Sequence, residues 1–257
     1  DHAWAIRQGV IPMIAWIIFL WHALLLSLLI VTSLTDMEHM EIPLTVTITG
    51  TAIGLLGATL LAWPFPSGKE LAPLVPIKRN LPVPLANQPT PQPGLYSWPV
   101  WHPLPVNLPE RSWQLGLLTG LAGAAAGAIM LRGVRFLFAL GRGIEGLGVG
   151  DADLMMMAGS FIGWQPALIA FMAGVFPALI FGIIQVARGG RQMMPFGPSL
   201  AIGVLIALLG WPWIGPRIWP FFSDIQIMVM LTIIGSVGLL ATAFALRLIR
   251  GTATAGT

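Results

Sequence analysis

Ile17-Ile18-Phe19-Leu20-Trp21-His22-Ala23-Leu24-Leu25-Leu26-Ser27-Leu28-Leu29-Ile30-Val31 carries no charge, and the chain then meets Thr35-Asp36-Met37-Glu38-His39-Met40-Glu41-Ile42-Pro43. A spanning helix needs about 20 mostly apolar residues, and the first stretch belongs to such a run over Ile11–Leu34. It is not a signal peptide. It is longer than a signal core, lacks a basic lead and a small-residue cleavage site, and is followed directly by acidic residues. Working outward, similar runs occur at Pro43–Trp63, Gln114–Leu140, Gln165–Ala187, Phe196–Ile214 and Ile225–Ile249, with a shorter one at Ala152–Trp164. The pattern predicts an all-α, polytopic membrane helix bundle of about six to seven transmembrane helices.

Composition agrees with that reading. Of 257 residues 56% are hydrophobic and 9% charged, with a mean hydropathy of +0.83; soluble domains carry roughly 25% charged residues. With no cysteine there is no disulfide, thiolate metal site or cysteine nucleophile. The net charge of +3 comes from 13 Lys and Arg scattered singly between apolar runs. They read as flanks of membrane helices, and no nucleic-acid partner is expected.

Many of the 22 prolines fall between Trp63 and Trp113, as in Pro89-Thr90-Pro91-Gln92-Pro93. Proline lacks a backbone donor and favours extended conformations, so this segment reads as an aqueous loop. The expected organisation is one membrane domain: a first helical half over residues 1–63, a Pro-rich extramembrane loop over 64–112, and a second half over 113–257. The chain begins at Asp1, which leads us to expect a longer or processed parent protein.

Threading the helices alternately places the Asp36–Ile42 loop, the segment Arg132 to Gly150, Arg188 to Pro195 and the tail from Arg247 on one side. The Pro-rich loop and a Trp211–Asp224 turn fall on the other. Trp63, Trp113, Trp164, Trp211, Trp213 and Trp219 then collect at one interface, where an amphipathic indole is favoured. Seven basic residues lie on the side of Asp36 and six opposite, which orients that side toward the cytoplasm by a narrow margin.

Asp36 and Asp151, the latter within Gly148-Val149-Gly150-Asp151, both fall on that side. A carboxylate beside a lipid-facing helix costs several kcal/mol on most scales, so two retained there point to use. Counting back from Trp164, Asp151 lies about 20 Å from the far interface and hence below the near surface, whereas the Asp36 loop lies closer to the boundary. Water must reach both, which predicts a polar cavity opening on this side. One ionised and one protonated carboxyl can hydrolyse a peptide bond: the base activates water while the acid polarises the carbonyl. Proximity separates the apparent pKa values of such a pair. Gly146, Gly148 and Gly150 let the backbone turn and approach closely as it delivers Asp151 to the next helix.

Asp36-Met37-Glu38-His39 with Ile42-Pro43, then Glu145-Gly146-Leu147-Gly148-Val149-Gly150-Asp151, Gly159 to Trp164, and Pro195-Phe196-Gly197-Pro198 with Leu200-Ala201 occur in that order. Together they resemble the type IV prepilin peptidases, bacterial membrane aspartyl proteases of the Gly-x-Gly-Asp class with a presenilin-like core. The resemblance spans roughly Leu20 to Gly210. It implies cleavage of the short basic leader of type IV prepilins or type II secretion pseudopilins at the cytoplasmic face of the inner membrane. The catalytic aspartates map onto Asp36 and Asp151, no cofactor is implied, and the partners are the substrate helix and the lipid bilayer. Two positions depart from the family pattern. Leu44 stands where an aspartate usually follows the proline, and Asp153 stands where a lysine usually follows Gly-x-Gly-Asp. If Asp153 shares a cavity with Asp151, it should raise the proton affinity of the pair. The family's cysteine-containing N-terminal segment, associated with N-methylation, has no counterpart in these residues, so no methyltransferase is expected from them.

Other residues carry weaker signals. Glu38, His39, Glu145, Gly148, Gly150 and Asp153 are candidates for tuning the site. Glu38, His39 and Glu41 lack the pattern of a metal site, and none is expected. Met155-Met156-Met157 reads as core packing. Gly116, Gly120, Gly123 and Gly127 predict a close helix seam. The same acids would also suit a proton-coupled transporter, but that function favours charges near the midplane and pseudo-symmetric halves. A catalytically silent homologue is a third reading. Oligomeric state is not legible.

Overall fold

A computed structural model of the chain describes residues 13–61, 112–143, 148–187 and 195–254. In chain order its helices are α1 (Met13–His39), α2 (Leu44–Leu60), α3 (Trp113–Arg142), α4 (Val149–Ile162), α5 (Trp164–Ala187), α6 (Gly197–Ser223) and α7 (Ile225–Thr254). No strand occurs among the described residues. Trp16–His39, Trp113–Arg142, Trp164–Gln185 and Ile225–Ala245 are long and apolar enough to cross a membrane, while Leu44–Leu60 and Gly197–Trp211 are shorter apolar helices. Large apolar side chains such as Phe176, Leu179, Ile183, Ile233 and Val237 point outward from α5 and α7. Lipid is the solvent that such faces require, and the chain is a multi-pass membrane protein.

The centre of the bundle is α4, which has eleven of its fourteen residues buried and touches α1, α2, α3, α5 and α6. Among lipid-embedded helices, association rests on close packing, and small residues permit it. The expected glycine seam provides that packing. Along α3, a Cβ added at Gly116 would strike the Ala58 carbonyl, at Gly123 the Gly159 carbonyl, and at Gly127 the Met155 carbonyl. On α2, the buried residues Thr47, Gly50, Gly54 and Ala58 form a stripe of small side chains that seats Met157, Ser160 and Phe161 of α4. Phe161 also meets Trp21 of α1 edge-on, with ring centroids 5.4 Å apart, a geometry worth about 0.5–1.5 kcal/mol beyond area burial. Met155 and Met157 are fully buried as packing residues.

Gly163 alone separates α4 from α5. Its φ of 81° lies in the left-handed region, so the reversal requires glycine. Trp164, at the start of α5, stacks edge-on against Phe222 near the end of α6 with centroids 5.2 Å apart. These two ends therefore meet, as alternate threading requires.

The helices differ from expectation at two places. First, α1 runs on to His39, so Asp36 occupies its last turn and not a loop. Nothing between Leu34 and His39 breaks a helix. The chain departs at Met40, whose φ of 57° places a non-glycine residue in the left-handed region after its amide has bonded the Asp36 carbonyl at 2.9 Å. Second, the Trp211–Asp224 segment is not a turn, because α6 continues through Pro212, Pro216 and Pro220 to Ser223. Prolines four apart put their missing donors along one side, and helices in membranes re-satisfy such freed groups locally. Trp63 and the Pro-rich segment lie outside the described residues.

Candidate active site

The route by which Asp36 enters the bundle is written in the buried face of α1. Trp21, Leu25, Leu29, Thr32 and Asp36 are all buried, at spacings of four, four, three and four that keep them on one helical stripe. Thr32 satisfies its hydroxyl within its own helix, donating to the Leu28 and Leu29 carbonyls at 2.9 and 3.1 Å. Asp36 has no such local partner and finds one on α6. The backbone amide of Gly197 donates to its Oδ2 at 2.8 Å, a buried bond across 161 residues of sequence. Pro198 follows at the start of α6, where a missing donor is harmless and the fixed φ suits a helix start. Gly197 allows this approach because it has no side chain: a Cβ there would lie 2.7 Å from Asp36 Oδ2 and 3.2 Å from its Cγ.

Asp151 stands at the third position of α4, where its Oδ2 accepts the Gly148 amide at 3.1 Å. This is the acidic arm of a capping box, whose other arm glycine cannot supply. Gly150 lets this first turn lie against the link between α1 and α2, since a Cβ there would come within 2.8 Å of Ile42 Cβ. The last turn of α1 and the first turns of α4 and α6 thus meet at one end of the bundle. Both carboxyls are buried, 6% exposed for Asp36 and 5% for Asp151. Asp151 lies outside the four helices long enough to span. Its carboxyl is pushed up to about 7, first by burial and then by the charge of Asp36, against the opposing effect of the Gly148 amide. The two acids therefore lie within electrostatic reach, each with one oxygen held by a backbone N–H. This geometry suits the activation of water between them.

The other candidates divide. Gly148 and Gly150 belong to the site by contact. Glu38 and His39 are exposed and lie 3.9 Å from one another, so the structure does not bring them to the pair. Glu145 lies outside the described residues. Among the described residues no three His, Asp or Glu side chains converge as metal ligands. Asp153 does not turn toward Asp151. It is buried on the other side of α4, where Arg132 Nη2 donates to its Oδ1 at 3.0 Å. The condition for a crowded acidic cavity is therefore not met.

Two contributors were not among the candidate site residues of the sequence reading: Gly197, quoted there only within a motif, and Arg132, used there only in threading the helices. Gly-Pro ahead of an apolar run does mark a helix start with an unused amide. Which acid that amide would meet is not encoded locally.

Residues 100–183 match the model of the Type IV leader peptidase family. The match includes Asp151 and leaves out Asp36. A prepilin leader peptidase/N-methyltransferase of Burkholderia pseudomallei strain 1026b is 38% identical over 113 residues, covering 40% of this chain and 34% of the relative. The similarly named protein of Aeromonas salmonicida strain A449 is 37% identical over 113 residues, 43% of this chain and 38% of the relative. That of Pseudomonas aeruginosa strain PAO1 is 40% identical over 93 residues, 35% of this chain and 32% of the relative. The alignments thus span about a third of the length of these curated relatives. No solved structure matches. The matched segment carries Gly148-Val149-Gly150-Asp151 and the seam that packs it, and over this segment the chain is similar to the type IV leader peptidase family.

Proposed function

We propose that the chain is the core of a membrane aspartyl endopeptidase that removes the short basic leader of type IV prepilins or type II secretion pseudopilins. The observation that carries this reading is the meeting of Asp36 and Asp151 at one end of the bundle, within reach of each other's charge. In the proposed cycle Asp36 is the ionised base and Asp151 the protonated acid. Asp36 takes a proton from water as the water oxygen attacks the scissile carbonyl carbon, and Asp151 donates to the carbonyl oxygen. As the tetrahedral intermediate collapses and the C–N bond breaks, Asp36 passes its proton to the leaving amine nitrogen and Asp151 takes one back from a hydroxyl of the intermediate, which restores both starting forms. The Gly197 amide supports a role for Asp36 by holding one of its oxygens in place at 2.8 Å. The relatives' name supplies the substrate class, and the proposal takes up only its peptidase half.

The acids lie at one end of the bundle and not at its middle, which suits a soluble leader reaching in from one surface more than a midplane relay. We place that surface at the cytoplasmic face of the inner membrane, with the apolar helix of the substrate docking from the side. Purified protein in nanodiscs should cleave a peptide with a basic leader and an apolar helix, while Asp36→Asn and Asp151→Asn should each abolish cleavage and leave expression intact. Cleavage that survives in both variants refutes the assignment. The chain has no cysteine, so single cysteines introduced at Glu38 and Glu41 should report the side: a membrane-impermeant maleimide should label them only after permeabilisation.

A further inference from the structure

Asp153 places a third carboxylate two residues beyond Asp151. Two positions on a helix rotate a side chain by about 200°, so Asp153 leaves α4 on the side facing α3. Its side chain is only 11% exposed, whereas that of Arg132 is 58% exposed. The pairing is not a chance surface contact. In the α3–α4 seam Gly123 faces Gly159 and Gly127 faces Met155, so each step of four along α3 matches an equal step back along α4. Arg132 consequently stands level with the first turn of α4, the turn that carries Asp151.

The charges around that turn can be named element by element. From α1 comes Asp36, with His22 farther along the helix and Glu38 and His39 exposed at its end. The α1–α2 link adds the exposed Glu41. Helices α2 and α5 contain no charged residue, and α6 contains only Arg217, near its far end. Helix α3 contributes Arg132 and, further on, Arg135 and Arg142. Three buried carboxyls therefore cluster about one turn, and the guanidinium level with it is bonded to the one that does not face the pair.

We propose that Arg132 is a positioning residue for the proteolytic pair: by holding Asp153 on the α3 side of α4, it cancels a third carboxylate charge and leaves Asp36 and Asp151 to share one proton. The proposal rests on reading those two as the catalytic acids. An uncancelled charge one helix diameter away, about 10 Å, at an effective dielectric near 20 would move a neighbouring titration by about one pH unit.

The test compares the pH dependence of kcat/KM for wild type, Arg132→Gln, Asp153→Asn and the double variant, in nanodiscs, on a synthetic peptide with a basic leader and an apolar helix. Arg132→Gln should move the alkaline limb up by about one pH unit. Asp153→Asn leaves an uncompensated guanidinium and should move the limb down, by less because Arg132 is half exposed. The double variant should return the limb to its wild-type position. A merely structural tie would lower activity or thermal stability in both single variants, with the limbs unmoved or moved in the same direction, and either result overturns the proposal. If Arg132→Gln fails to fold, the downward shift in Asp153→Asn and its reversal in the double variant carry the same sign test, and absence of that shift overturns it. Failure of the parent reading shows separately, as a wild type that does not cleave or an Asp36→Asn variant that does.

Discussion

Replacing Gly197 by alanine tests whether the amide that grips Asp36 matters to catalysis or only to packing. Ordinary van der Waals contact begins near 3.4 Å, and the new Cβ would sit 2.7 Å from Asp36 Oδ2, so about 0.7 Å must be found. Rotating the carboxylate does not provide it, because Asp36 Cγ and Cβ lie at 3.2 and 3.3 Å from the same point. Either the Asp36 side chain retreats or the first turn of α6 shifts, and both lengthen the 2.8 Å bond from the Gly197 amide. A hydrogen bond to a charged group contributes about 1.5–3 kcal/mol, and a misplacement near 1 Å at a reacting centre can lower the rate about 100-fold. We expect kcat to fall between roughly 10- and 100-fold with KM little changed, since the change displaces the proposed base and introduces no charge or polar group. The assay is steady-state cleavage of the leader peptide in nanodiscs, with size-exclusion and thermal unfolding as controls. Gly203→Ala is the comparison: its Cβ would meet the Ala170 carbonyl of α5 and no site residue, so it should lower stability without a selective loss of kcat. A folded Gly197→Ala enzyme with kcat within twofold of wild type would refute the reasoning.

Three further outcomes follow from the same geometry. Because the acid must hold a proton and Asp151 is raised to about 7, kcat/KM should decline as pH rises through about 7. It should also decline at low pH as the base protonates, and a profile flat from pH 6 to 9 would contradict this. Gly123→Leu forces a side chain onto the Gly159 and Gly163 backbone, whose carbons would lie 2.8 Å from its Cβ. It should destabilise by more than about 3 kcal/mol, seen as loss of a monodisperse peak, whereas Leu substituted at the open position Gly235 should be tolerated. Met40→Gly relieves a left-handed φ of 57° and should raise the thermal midpoint in detergent, reflecting a gain of about 0.5–1 kcal/mol; a lowered midpoint would show that the Met40 side chain contributes more than its backbone strain costs.

How much was legible in advance depended on the range of the signal. The apolar runs coincide with the seven helices found among the described residues, because length and composition are local properties. The α3 glycines announced a seam through their spacing alone. Local reading failed at Trp211–Asp224, where three prolines resemble a turn but the helix continues. It also placed Asp36 in a loop, because polar residues near a membrane boundary look like a connection even when they prolong the helix.

The sequence by itself determined that this is a helical membrane protein, since hydrophobic length and composition are local properties, and it led us to expect the two acids on one side. Only the tertiary structure decided what those acids touch. The Asp36 carboxylate is completed by an amide 161 residues away, and Asp153, which reads as a third acid crowding Asp151, is turned from it and paired with Arg132. The physical reason is the same in both cases. A helix fixes the direction in which a side chain leaves its own axis, but its partner is set by how the neighbouring helices pack.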